Sequence, residues 1–285
     1  MVILRSLSDL AQWQDSVGWH QGVGGFVPTM GALHEGHEGL IRQAVQSSDV
    51  VVVSILVNPT QFNDSRDFDG YPRTLESDVR AATLAGAHAV FAPTPEELYG
   101  GTPHAPHVHW GPLTHGYEGA HRPGHFDGVI AVVDLLFSVV RPRVAVFGEK
   151  DLQQVAVVKR LAKERHPGVR IDVGRLVRDA NGLALSSRNA RLGEHGIREA
   201  LSLSQALFQL RDAILPGMDS GGWDACLERA RHVLANSPGL TMEYVDIVDA
   251  TTFKPARSAG IHPIHAIVAG HVRGVRLIDN VSLMA

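Results

Sequence analysis

Short apolar runs recur along the first two thirds of the chain, at residues 25–27, 50–57, 89–92 and 144–147. The stretches between them, such as 40–47, 75–85 and 152–165, carry apolar positions at helical spacing. A run without polar alternation suits a strand covered on both faces, so the alternation predicts an α/β fold whose parallel sheet has helices on either side. One helix is expected over 128–140, where Val129, Val132, Val133, Leu136, Phe137 and Val140 share a stripe that excludes Asp134 and Ser138. From 93 to 128 the pattern dissolves into Pro, Gly and His, which predicts a long surface excursion with one short strand near Val108. A further strand is expected at 171–177, followed by a polar turn over 178–191. Two helices then follow, 197–213 and 223–234, separated by Pro216, Gly217, Gly221 and Gly222, and after them strands at 242–248, 265–269 and 275–278. This change of pattern predicts a second, smaller α+β domain from about residue 180 onward.

A chain of 285 residues that is 44% hydrophobic and 20% charged can bury a large core without staples. The lone Cys226 leaves no internal disulfide framework and too few thiols for a cysteine-rich zinc site, so a reducing cytoplasm is the natural compartment. A net charge of −4 without a long run of either sign gives no electrostatic footprint for nucleic acid or an anionic membrane. Arg5, Asp9 and Asp15 interrupt the amino-terminal stretch, and the apolar run 129–140 contains Asp134 and closes on Arg141. Neither an export signal nor a membrane span is expected. Anionic substrates would be held by local basic groups.

Four segments fall where a predicted strand gives way to a turn or helix. The first is Phe26-Val27-Pro28-Thr29-Met30-Gly31-Ala32-Leu33-His34-Glu35-Gly36-His37, at the carboxyl edge of a strand, where open α/β sheets bind ligands. Two imidazoles three positions apart project from one face of the first helical turn, where free backbone N–H groups and the helix dipole favour anions. The dipole contributes only about 0.3 to 1 kcal/mol when exposed, whereas directed donors that tighten on a transition state give roughly 2.7 to 4 kcal/mol each. The imidazoles would therefore carry the larger share. Helix capping alone also accounts for an isolated His-x-Gly-His, and a metal pair is a third reading, although helical zinc sites favour i, i+4 spacing with a further ligand. In the second segment, Phe147-Gly148-Glu149-Lys150-Asp151-Leu152-Gln153-Gln154, Lys150 can meet a phosphate and Gln154, one turn on, a hydroxy acid. A helix capped by Asp151 beside a solvated lysine fits equally. The third, Gly182-Leu183-Ala184-Leu185-Ser186-Ser187-Arg188-Asn189, offers hydroxyls, backbone N–H groups and a guanidinium to a triphosphate. The fourth ends the 50–57 strand with Asn58-Pro59-Thr60-Gln61-Phe62, whose uncharged amides can orient a hydroxyl-bearing substrate without repelling its carboxylate. Turn duty is the plainer role for Asn58.

Together these segments resemble the pantothenate synthetase family, nucleotidyltransferases that share a His-x-Gly-His motif with class I aminoacyl-tRNA synthetases. The resemblance continues in order through Tyr71-Pro72-Arg73-Thr74, Arg122-Pro123-Gly124-His125-Phe126 and Arg276-Leu277-Ile278-Asp279-Asn280. It implies a Rossmann-like doubly wound parallel sheet over residues 1–179, with the smaller C-terminal α+β domain, 180–285, closing over the ATP site. It also implies condensation of pantoate with β-alanine through an adenylate, with ATP split to AMP and pyrophosphate in the presence of Mg²⁺, in a homodimer. Carried over by position, Met30, Gly31, Ala32, Leu33, His34, Glu35, Gly36 and His37 would line the ATP site. Gly148, Glu149, Lys150, Asp151, Val177, Leu185, Ser186, Ser187 and Arg188 would complete it. His34 and His37 would face the phosphates, His37 as proton donor, and Lys150, Ser186 and Arg188 the triphosphate. Gln61 and Gln154 would hold pantoate beside Asn58, with Gln61 also meeting β-alanine; the protein ligands of Mg²⁺ stay open. Leu185 stands where the family often has methionine, Asp134 where a lysine and Arg143 where an acid is usual, and none of these changes touches the chemistry.

Attack of a carboxylate on the α-phosphorus adds charge beside an anionic chain, which Mg²⁺, Lys150, Arg188 and the two histidines would neutralise. Water must be excluded while the adenylate persists, and the polar loop 63–71 is the expected lid. In the 93–128 excursion, His104, His107, His109, His115, His121 and His125 have irregular spacing and no adjoining carboxylate or cysteine cluster. They read as a solvated loop, with His125 set apart by its place in the family-like segment. Two other functions fit the fold: nucleotidyl transfer onto a phosphorylated acceptor, and a nucleotide sensor without turnover. Intact His34, His37, Lys150, Ser186 and Arg188 argue against the second.

Overall fold

The computed structural model describes every residue except 215, 216, 259, 284 and 285, so the expected break at Pro216 lies outside the described residues. Six strands, β1 (Val2–Leu4), β2 (Gly24–Thr29), β3 (Val50–Ile55), β4 (Ala89–Phe91), β5 (Val144–Gly148) and β6 (Arg170–Gly174), form one parallel sheet in the order β1-β4-β3-β2-β5-β6. Helices α1 (Leu7–Ser16), α2 (Glu35–Ser47), α3 (Ser65–Asp69), α4 (Leu75–Leu84), α5 (Pro95–Tyr99), α6 (Pro112–His115), α7 (Glu118–His121), α8 (His125–Val140) and α9 (Leu152–Arg165) connect them. The apolar runs are uninterrupted because successive side chains feed two cores. Phe26, Val52, Phe91 and Phe147 face α1, α8 and α9, while Val27, Val53, Val90 and Val146 face α2 and α4. On α8 all six residues of the stripe are buried, and each such large apolar side chain contributes about 1.5 to 3 kcal/mol. From β2 the chain steps outward through β3 and β4; β5 and β6 lie on the other side. The sheet therefore has its switch point between β2 and β5, at whose carboxyl ends a crevice opens.

Two expectations are corrected, and two elements are added at the amino-terminal end, where β1 and α1 precede the strand at 25–27. Their overlooked signature is the capping box of Ser6 and Asp9, in which Asp9 N–H donates to Ser6 Oγ at 3.0 Å and Ser6 N–H to Asp9 Oδ2 at 3.1 Å. No strand forms near Val108: its N–H donates to Asp127 Oδ1 at 2.9 Å, and the excursion instead holds α5, α6 and α7. The strand expected at 171–177 ends at Gly174, the last residue paired with β5, which leaves 175–177 free to turn along the crevice.

Beyond a turn in which Asp179 Oδ1 accepts the N–H groups of Asn181 and Leu183, both at 2.9 Å, a second core begins at Leu183. Helices α10 (Gly193–Ala213) and α11 (Ser220–Ala235) cover one face of an antiparallel sheet of β7 (Leu240–Asp249), β8 (Ile264–Val272) and β9 (Val275–Ser282). Its other face joins the first core through Val248 and Ile267. The central strand β8 is thus covered on both sides, which is why eight of its nine residues are buried. Where the two cores meet, Arg178 makes a bidentate pair with Asp279 at 2.7 and 2.9 Å. Among the described residues no helix is long and apolar enough to cross a membrane.

Candidate active site

The crevice gathers Met30, His34, Gly36 and His37 from the turn after β2, Asn58 and Gln61 from the turn after β3, Gly148, Glu149, Lys150, Asp151 and Gln154 from the end of β5, and Val177, Leu185, Ser186, Ser187 and Arg188 from the loop beyond β6. All four sequence segments therefore converge. Gly31, Ala32, Leu33 and Glu35 do not line it. Gly31 turns the chain at φ +82°, and the N–H groups of Ala32 and Leu33 donate to the carboxylate of Asp78 at 3.1 and 2.8 Å. Asp78 is buried on α4, where Thr74 Oγ1 also donates to it. It occupies those amides, closing them to an anion, and fixes the turn leading to His34. In the sequence it reads as an ordinary solvated helix position, so pattern gave no sign of it.

His34 is the N-cap of α2: its Nδ1 accepts the N–H of Gly36 at 3.2 Å, and Nδ1 of His37 accepts the N–H of His34 at 3.4 Å. With Nδ1 of both rings committed as acceptors, the neutral tautomer of each carries its proton on Nε2. The rings lie 4.1 Å apart between centroids. Burial, and then the charge of Lys150, lowers the His34 pKa to about 4; burial, then His34 and Lys150, lowers that of His37 to about 3. Both rings are neutral at pH 7. The expectation that they neutralise phosphate is corrected to this extent: they offer N–H donors rather than cations, and the positive charges lining the crevice are those of Arg122, Lys150, Arg175 and Arg188.

Lys150 sits in a tight helical turn, Glu149–Asp151, held from the second sheet. Asn280 Nδ2 donates to the carbonyls of Glu149 and Lys150 at 3.0 and 3.1 Å, and Asn280 Oδ1 lies 3.2 Å from His265 Nδ1. Glu149 accepts the N–H of Leu176 at 3.1 Å. Among the described residues no carboxylate is within ion-pair distance of Lys150. Asp151 precedes α9 with no side-chain cap bond, so capping does not account for this segment. Gln153 is spent on structure, bonding Leu113 O, Gly116 O and Glu118 N–H, whereas the Gln154 amide faces the crevice with no hydrogen bond among the described residues.

Asn58 turns out to be a brace. Its Nδ2 donates to Gln61 Oε1 at 3.2 Å and to Gly128 O at 3.1 Å, while Oδ1 accepts from Thr60 and from Tyr99 OH. Gln61 is further fixed through its carbonyl, which meets His125 Nδ1 at 2.9 Å and Arg122 at 3.4 Å. Burial, then Arg122, lowers the His125 pKa to about 3, so that ring is a neutral positioning group. Gly128 at the start of α8 is required here, because a Cβ would lie 2.3 Å from Thr60 O.

The Ser186 loop is capped by Ser186 Oγ, which accepts the N–H of Arg188 at 3.2 Å. Arg188 is not free: its guanidinium pairs with Asp67 Oδ2 at 2.7 Å, Arg191 meets Asp67 Oδ1 at 2.9 Å, and Tyr71 OH lies 3.3 Å from Ser187 Oγ. Residues 65–69 of the 63–71 loop thus fold as α3, latched through Asp67 and Tyr71 to the residues expected to meet a triphosphate. Asp67 is a contribution that spacing along the chain could not reveal, while Tyr71 and Asn280 stand in family-like segments to which the sequence assigned no role.

A parallel sheet of this strand order, with His-x-Gly-His at its switch point and a lysine turn opposite, defines an α/β protein whose crevice suits an anionic ligand. The chain matches the family model described as pantoate-beta-alanine ligase over residues 2–282, and it belongs to that family. It is 41% identical over 290 residues to the pantothenate synthetase of Corynebacterium efficiens, covering 99% of both chains, and 44% identical over 269 residues to that of Nocardioides sp., covering 91% of this chain and 78% of the relative. The crystal structure of pantothenate synthetase from Thermus thermophilus superposes with a TM-score of 0.91 at 37% identity over all of both chains. That of the Francisella tularensis ligase, complexed with beta-gamma ATP and beta-alanine, gives 0.80 at 31% identity over 99% of this chain and 98% of that one.

Proposed function

We propose that this chain joins pantoate to β-alanine at the expense of ATP, and that the crevice between β2 and β5 is where it does so. The observation that carries this reading is the convergence of two neutral imidazole donors, one unpaired lysine and one displaceable arginine on a single crevice, with the Gln61 and Gln154 amides alongside. A pantoate carboxylate oxygen attacks the α-phosphorus, the bond to the bridging oxygen breaks, and pyrophosphate leaves. Nε2–H of His34 and His37 donates hydrogen bonds to phosphate oxygens, His37 as a neutral donor that keeps its proton, while Lys150 and Arg188 compensate the growing charge. The free amine of β-alanine then attacks the acyl carbon, the bond from that carbon to the phosphate oxygen breaks, AMP departs, and the proton released from the amine passes to AMP or solvent. Gln61 and Gln154 orient pantoate, Gln61 also meets β-alanine, and Asn58 acts through Gln61.

Two carboxylates, Glu149 and Asp151, line the crevice, and Glu149 is engaged by Leu176. Asp151 would therefore be the carboxylate free to help hold Mg²⁺ carried in with ATP, and the ion would supply charge neutralisation of the triphosphate. In the same reading residues 180–285 form the unit that closes over the nucleotide, since Ser186 to Arg188 enter from it and Asn280 holds the Lys150 turn. A cytoplasmic homodimer is part of this proposal, and light scattering in solution tests the stoichiometry. The decisive assay follows AMP release: it is expected to require both pantoate and β-alanine, and pyrophosphate exchange into ATP to require pantoate alone. Exchange that proceeds without pantoate, or only with a phosphorylated acceptor, would overturn the assignment.

A further inference from the structure

The excursion between β4 and α8 folds so that three histidines of irregular spacing meet at the surface. One ring nitrogen from each of His107, His109 and His115 lies within 4.8 Å of the others. Nδ1 of His109 and Nε2 of His115 are 3.2 Å apart. Two nitrogens bound at about 2.0 to 2.1 Å in tetrahedral geometry lie about 3.3 Å from each other, so these two atoms already stand at the separation a shared ion imposes. The rings are also held from behind. Asp127 on α8 meets His107 Nδ1 at 3.0 Å, and the Thr114 hydroxyl meets His115 Nδ1 at 2.9 Å while accepting the N–H of Trp110 at 2.9 Å. With Nδ1 of His107 and His115 so engaged, the Nε2 lone pair of each is left to a metal, and the carboxylate behind His107 is the arrangement that raises the basicity of a ligating imidazole. The carboxylate that spacing alone did not supply comes from Asp127, which lies 20 residues beyond His107.

We propose that His107, His109 and His115 bind one divalent ion of the zinc, cobalt or nickel type, with solvent at the remaining position and Asp127 orienting His107. Three imidazoles favour such ions over Mg²⁺ or Ca²⁺, which prefer oxygen. None of the three lines the catalytic crevice. The ion would tie the 104–110 segment to α6 and, through Asp127, to the start of α8.

Zinc ion alone, titrated against chelator-treated full chain in competition with a chromophoric chelator, tests this. The wild type is expected to take one equivalent per chain with a raised Tm, His109→Ala and His115→Ala to lose it, and Asp127→Asn to bind about 10 to 100-fold more weakly. His34→Ala and His37→Ala, which remove the other close imidazole pair, are expected to keep it. Cobalt should give visible absorption bands that vanish in His109→Ala. Wild-type protein that takes up no zinc at micromolar concentration, or undiminished binding in the His109→Ala/His115→Ala double variant, overturns the proposal.

Discussion

At His34 and His37 capping a helix and meeting a phosphate are compatible duties, because each ring accepts a backbone N–H on Nδ1 and keeps Nε2 for a ligand. The sequence presented these as alternatives. It could not decide between them, since the spacing is the same for both and only the ring orientations separate the atoms involved. The neutral state has a kinetic signature. The kcat/KM for ATP reports ionisations of the free enzyme, where these rings sit at about 4 and about 3. It should therefore show no histidine midpoint between pH 6 and 8, and a midpoint near 6.5 that disappears in His37→Ala would contradict the neutral-donor role. His37→Ala and Lys150→Ala should each reduce kcat by about 10²-fold or more while melting cooperatively. Near-normal turnover in either would remove that residue from the chemistry. Gln61 and His125 show the opposite limit of legibility. Their segments were recognisable, but the dependence of one on the other runs through a carbonyl bond across 64 residues.

Helix α3 links the crevice to solvent. Asp67 holds Arg188 and Arg191 together, and both the carboxylate and the Arg188 guanidinium are largely sheltered. ATP can recruit Arg188 only by competing with Asp67 or by drawing the helix along, which is how a lid would sense its substrate. If the latch is worth about 1 kcal/mol, as for a partly exposed ion pair, Asp67→Asn opens the loop roughly fivefold more often. Limited proteolysis within residues 63–71 should accelerate by that factor in the free variant and be suppressed by an adenylate analogue in the wild type. Equal cleavage in both proteins, with and without the analogue, would deny α3 a lid function. The polar loop itself was legible from composition. Its helical form and its acidic latch were not, because a five-residue helix has no periodicity to read and the latch spans 121 residues to Arg188.

For the whole molecule, element identity was legible wherever packing is repetitive: β3, β5, α9 and the α8 stripe follow from runs and spacing alone. The polar part of what joins the two cores was not legible, since beside Val248 and Ile267 it consists of single contacts between distant segments. Glu118 on α7 is buried and bound by Arg276 of β9 at 2.6 and 2.8 Å and by Tyr244 OH at 2.7 Å. Burial opposes its charge, but the Arg276 bonds prevail and bring the pKa to about 2. The histidines at the crevice act in the same direction on stability through a different cause. His34, His37 and His125 are neutral in the fold, with pKa values lowered by burial to about 4, about 3 and about 3 from 6.5. Below pH 6.5 the unfolded chain therefore binds protons that the folded chain refuses. Stability is full above that pH and falls as acid is added, down to the folded values, with Glu118 adding its own loss from about pH 4.5 downward. A thermal melt of the free protein should accordingly hold its Tm from pH 8 to 7 and lose it steadily from 6.5 to 4. In His125→Gln the slope over pH 6.5 to 4.5 should be shallower, because one of the refused protons is gone. A Tm unchanged between pH 7 and 5, or an NMR titration in which the His125 ring reaches its midpoint near 6.5, would show that the buried, neutral setting of this ring does not persist in solution.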